Sequence, residues 1–166
     1  MSRRRQPESS DDERTVPRKK EGDEVKIPTL PDTAAGYQAW INHVGDAVAA
    51  CARDPDAAFS WITRVEAATV SFSELGAVPA EWRSLDAKLR SALSKFCTGT
   101  EAKKHPKLVS KLDRKRDELK HLDTPLQIKG RQMLLLVRQF YEVHKGERTT
   151  FEIAALIELP YWGDDD

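Results

Sequence analysis

Apolar residues recur along most of this chain at three- and four-residue spacing, the period of helices that bury one face. Tyr37, Trp40, Ile41, Val44, Val48 and Cys51 make one such stripe and predict a helix capped by Asp32 or Thr33. Arg53-Asp54-Pro55 breaks it, with Asp54 as N-cap and Pro55 at the first position of a second helix. The apolar residues of that helix are Phe59, Ile62 and Val65, with Trp61 at the margin, and the pattern ends near Thr69. A linker containing Gly76 and Pro79 follows. Trp82, Leu85, Leu89, Leu93 and Phe96 then form a nearly continuous stripe that opens near Pro79 or Ala80 and stops at Thr98-Gly99-Thr100.

The pattern changes over residues 101–122. Leu108, Leu112, Leu119 and Leu122 give only a thin seam within a dense coat of charge, which predicts a half-exposed helix whose start is limited by Pro106. Whether it is one rod or two pieces around that proline stays open. The most apolar stretch comes next: Met133-Leu134-Leu135-Leu136-Val137, continued by Phe140 and Tyr141, is apolar on several sides and belongs in the middle of a bundle. Lys145-Gly146 is read as its end, and a last short helix capped by Thr149 or Thr150 carries Phe151, Ile153, Leu156, Ile157 and Leu159 up to Pro160. Strand-type alternation is missing. The expected fold is all-α, a compact bundle of about five or six helices spanning residues 33–166. Tyr37, Trp40, Trp82, Leu89, Leu136 and Tyr141 are its expected core anchors.

Residues 1–32 have few large aliphatics among many charges, prolines and serines, so they are expected to form a disordered tail. Arg3-Arg4-Arg5 and Arg18-Lys19-Lys20 within it resemble nuclear-targeting or nucleic-acid patches, diluted by interspersed acids. A chain of 166 residues suits one core plus tails. Lys+Arg and Asp+Glu balance at 27 each, so any electrostatic partner must be met by a local patch. Only Cys51 and Cys97 are present, without CxxC pairing, and both read as small core hydrophobes in a reducing setting. No signal-type segment and no apolar run near ~20 residues occurs, so the expected setting is intracellular, cytoplasmic or nuclear, with no membrane partner.

Catalytic spacings are missing as well. His43, His105, His121 and His144 stand far apart without Cys/His clustering, which predicts no metal site. Neither a phosphate-cradling glycine loop nor a nucleophile elbow is present, so no cofactor, no small-molecule substrate and no catalytic residue is expected. The single concentration of charge is Lys103, Lys104, Lys107, Lys111, Arg114, Lys115, Arg116 and Lys120. Asp113 with Asp117, and Arg114 with Glu118, sit at the i,i+4 spacing of a solvated helix face. Two readings stay open: an ordinary solvated face, or a sequence-independent contact with nucleic-acid phosphates. No aromatic residues interleave, so base stacking is not offered.

Three segments in order carry a family resemblance: Gly36-Tyr37-Gln38-Ala39-Trp40 with Val44; Trp82 through Leu93; and Lys129 through Val137 with Phe140-Tyr141, ending at Tyr161-Trp162-Gly163-Asp164-Asp165. Together they resemble the Gag-like, capsid-forming segment of copia-type LTR retrotransposon polyproteins, over roughly residues 28–166. That resemblance implies a non-enzymatic domain that self-associates into homo-oligomers and packages RNA. It also implies that Tyr161 and Trp162, beyond the last helix, belong to an interface. The family's zinc knuckle, protease, integrase and reverse transcriptase have no counterpart here, so the chain corresponds to a shortened form. The alternative is a helical adaptor that binds nucleic acid or protein through residues 101–122.

Overall fold

The computed structural model describes residues 19–157, with side chains through residue 146. Among these residues there are seven α-helices and no strand: α1 (Tyr37–Cys51), α2 (Pro55–Thr63), α3 (Phe72–Gly76), α4 (Arg83–Ser94), α5 (Gly99–Lys104), α6 (Pro106–Lys120) and α7 (Gly130–Ile157). Short 3-10 turns precede α1 and α4 and follow α2 and α4. The all-α bundle is therefore present. Its middle is α7, where every residue from Gly130 to Val137 is buried and which packs on α4, α3 and α6, while α1 pairs with α2. That placement follows from an apolar run with no polar side to turn to water.

Local rules set several boundaries as expected. Asp54 caps α2 by accepting from the Ala57 amide at 3.1 Å, and Pro55 takes the first helical position. Gly99, at φ +67°, turns the chain into α5 in a region that only glycine enters without penalty from a Cβ. Pro106 divides the charged segment into α5 and α6, so it is two pieces.

Four expectations are corrected. First, the linker before Pro79 contains α3, held by a capping box in which Ser71 and Glu74 bond each other's backbone amides at 3.2 and 2.9 Å. Second, the buried face of α2 is Ala58, Trp61 and Ile62; α2 ends at Thr63, and Val65 is buried in the 3-10 turn that follows it. Phe59 lies over Gly45 of α1 and stays 44% exposed, whereas Trp61 is 8% exposed, stacked on Trp82 at 5.3 Å and covered by the Arg131 guanidinium at 4.7 Å. Third, Lys145-Gly146 does not end α7; the helix runs on to Ile157, because a glycine inside a long helix costs only about 1 kcal/mol and breaks nothing unaided. Fourth, the tail boundary near residue 32 moves. Residues 19–31 cross the bundle as an extended strap, and residues 1–18 lie outside the described residues.

The strap is held where its few aliphatics meet carbonyl-directed donors. Val25 and Leu30 are buried, Trp40 Nε1 donates to the Pro28 carbonyl at 3.0 Å, and Tyr141 donates to the Pro31 carbonyl at 2.6 Å. Gly22 donates to the Cys51 carbonyl at 2.7 Å and its own carbonyl accepts from Lys88 at 2.7 Å. The Glu21 carboxylate accepts from Ser84 Oγ at 2.5 Å and pairs with Lys88. Burial would raise the Glu21 carboxyl, but the hydrogen bonds from Lys88 and Ser84, with the charges of Lys88 and Arg53, outweigh it and hold it below its ordinary 4.5. A depressed carboxyl stabilises the fold above its unfolded value and loses that contribution as pH falls through its folded value. Glu21→Gln is therefore expected to cost ~1 kcal/mol at neutral pH and to flatten the fall in stability as pH drops below the ordinary 4.5 of a glutamate, read by urea denaturation across an acid pH series. A pH profile unchanged by the substitution would remove Glu21 as an anchor of the strap.

Candidate nucleic-acid interface

An α-helix advances about 100° per residue, so a run of cations in sequence is distributed around the helix and not gathered on one side. Lys107, Lys111 and Arg114 share the side of α6 that faces α7, while Arg116 and Lys120 lie on the opposite side. Lys103 and Lys104 belong to α5 and are exposed, with Lys104 paired to Glu101 at 3.1 Å. Lys115 pairs with Glu118 at 3.0 Å and its ammonium lies 4.8 Å from the Phe72 ring centre, so Glu118 is committed to Lys115 and not to Arg114. The sequence patch is thus three separate surfaces.

The first of the two open surfaces is a groove of about 580 Å³ between α6 and α7. Lys107, Lys111 and Arg114 form its rim, and Phe140, Val143 and His144 its floor, with no carboxylate lining it. Val143 is 56% exposed, high for an aliphatic side chain on the central helix. His144 Nδ1 meets the Phe140 carbonyl at 2.9 Å, a contact that requires this nitrogen to carry the proton. Burial pushes the Lys111 ammonium below its ordinary value, and the neighbouring Arg114 charge adds to that. Two cations held together at the edge of an apolar floor favour an incoming anion.

A second cleft lies across α6. Its first lobe, about 530 Å³, is lined by Arg90 and Ser94 of α4, Arg116 and Lys120 of α6, and the connector 125–128. A second lobe of about 580 Å³ shares Arg90 and Gln127 with the first and adds Arg83, Asp86 and Lys129. Of these cations the sequence patch included Arg116 and Lys120 alone. Arg83 and Arg90 sit at the i and i+7 positions of α4, a spacing that puts both on one side of the helix that carries the Trp82-to-Phe96 stripe.

The expected anchors fall in two groups. Trp40, Leu89, Leu136 and Tyr141 are buried, whereas Tyr37 and Trp82 are half-buried and pack against the core, Tyr37 stacking on Tyr141 at 5.4 Å. Burial, with a smaller push from the Asp32 charge, raises the Tyr141 phenol to about 12. Leu122 of the predicted seam is exposed in the connector after α6. Tyr161 and Trp162 lie outside the described residues. Burial raises both the Cys51 and Cys97 thiols, the state of packing groups and not of nucleophiles. Among the described residues no three His, Cys, Asp or Glu side chains stand close enough to hold a metal ion, and no helix is long and apolar enough to cross a membrane. No family model, no curated protein and no solved structure matches the chain.

Proposed function

We propose that this chain is a non-enzymatic Gag-like helical domain that acts by self-association, with RNA contact as a second property of the same groove. The supporting observation is apolar surface left over after the core has closed: Val143 and the half-buried Phe140 floor an open groove lined by Lys107, Lys111 and Arg114 and by no carboxylate. A second copy supplies a fitting occupant. On the α1/α2 side Phe59 projects 44% exposed over Gly45, and Asp46, Asp54 and Asp56 are exposed on and beside the same two helices. An apolar knob flanked by acids, received by an apolar groove flanked by bases, is a head-to-tail contact, the kind that propagates into rings or shells. The balance of 27 basic and 27 acidic residues suits such pairing.

Sedimentation of the full chain over a range of concentrations tests this. Association is expected to rise with concentration, and Val143→Lys or Phe59→Lys should each move its midpoint about tenfold higher. A chain that stays monomeric throughout would sink the assembly reading. The RNA reading is favoured by Lys107, Lys111 and Arg114 having no carboxylate in the groove. The same preparation should then bind RNA at low salt and lose it with added salt or with Lys111→Glu and Arg114→Glu.

A further inference from the structure

The cleft across α6 is used by neither reading above. Its cations come from separated parts of the sequence: Arg90 on α4, Arg116 and Lys120 one turn apart on α6, and Lys129 before α7. Elsewhere on the surface Lys88, Lys95, Lys104, Lys115 and Arg138 each have a carboxylate partner. Arg83, Arg90, Arg116, Lys120 and Lys129 form no ion pair among the described residues, although Asp113 stands a turn before Arg116. The first lobe is lined by no acid. The second has Asp86, but both of its oxygens are taken by the amides of Gly130 and Arg131, at 2.8 and 3.1 Å. We infer that this two-lobed cleft is a binding site for a ligand carrying linked phosphoryl groups.

Three features specify that chemistry. Arg116 is braced from behind, donating to Ser94 Oγ at 2.6 Å and reaching Met133 Sδ at 3.8 Å, so part of its planar fork is fixed before any ligand arrives. Pro125, Leu126 and Ile128 wall one side of the first lobe and displace water there, which strengthens the attraction of the cations for an anion. Arg90 lines both lobes, so two adjoining anionic groups are served by one shared guanidinium, as a chain of phosphates requires. No aromatic side chain lines either lobe, so a nucleobase would find no stacking partner and recognition stays with the phosphates.

Calorimetric titration of the full chain with tripolyphosphate at low salt tests the inference. Saturable binding is expected, weakened about tenfold by Arg90→Gln and by Lys120→Gln, and changed less than about twofold by Lys107→Gln in the other groove. Lys120 is exposed, so that variant keeps the test valid should Arg90→Gln disturb folding, which circular dichroism would reveal. A uridine homopolymer that competes with tripolyphosphate and weakens in the same two variants identifies RNA phosphodiesters as the source, and failure to compete identifies a free oligophosphate. Absence of tripolyphosphate binding, or binding that Arg90→Gln and Lys120→Gln leave intact, overturns the inference. RNA binding lost with Lys107→Gln but kept with Arg90→Gln and Lys120→Gln would assign RNA to the α6/α7 groove and leave the free oligophosphate as the ligand of this cleft.

Discussion

Asp86→Ala is expected to destabilise the domain by roughly 3–5 kcal/mol, the range for removing one partner of a buried charge network. Asp86 is 3% exposed and projects from α4 to the start of α7. A helix leaves its first amides without intrahelical partners, and here the carboxylate accepts two of them, from Gly130 and Arg131. Its charge also faces the buried Arg131 guanidinium, which donates to the Trp61 carbonyl at 3.2 Å and lies over the Trp61 ring. Alanine would strand two amides and remove the anionic charge that supports that cation. Asp86→Asn keeps one acceptor and removes the charge, so its loss should fall between wild type and alanine. Urea denaturation of the three proteins checks this, and a cost under about 1 kcal/mol for alanine would show that the cap is dispensable.

Gly130→Ala is expected to cost about 3 kcal/mol and lower the thermal midpoint by roughly 6–12 °C. The reason is steric. A Cβ on Gly130 would stand 2.5 Å from the Asp86 carbonyl oxygen and 3.0 Å from the Arg90 amide, and both are backbone atoms that cannot swing aside. The φ of Gly130 is not positive, so backbone strain plays no part, and helix propensity alone would favour alanine by up to about 1 kcal/mol. The two effects have opposite signs, and a calorimetric scan decides between them. A higher midpoint for Gly130→Ala would mean that α4 and α7 are not in backbone contact at this point.

The two sites together explain which parts of the structure were legible. Stripes such as Trp40, Ile41, Val44 and Val48, and caps such as Asp54-Pro55, are local, because a helix face and its first turn are specified within a few residues of sequence. The capping box at Ser71 and Glu74 was equally local and equally legible, though it lay inside what reads as a linker. The misassigned face of α2 was not. Phe59 and Trp61 are both large and apolar, and which of them is buried depends on Gly45 of α1 and on Trp82 and Arg131, none of which is adjacent to α2 in sequence.

The strap and the candidate sites follow the same division. Residues 19–31 are too polar to fold alone, and they are ordered by acceptors and donors that other helices bring to them, chiefly Lys88, Trp40 and Tyr141. Periodicity and capping are short-range properties, so the helical class, the starts of most helices and the central place of α7 can all be read along the chain. The sequence also places a concentration of cations on α6. How those cations divide between two grooves, and that Arg83, Arg90 and Lys129 join one of them, follows from the packing of α4, α6 and α7. A binding surface is made where helices distant in sequence meet, and the sum of charge at such a junction is not present in any one segment.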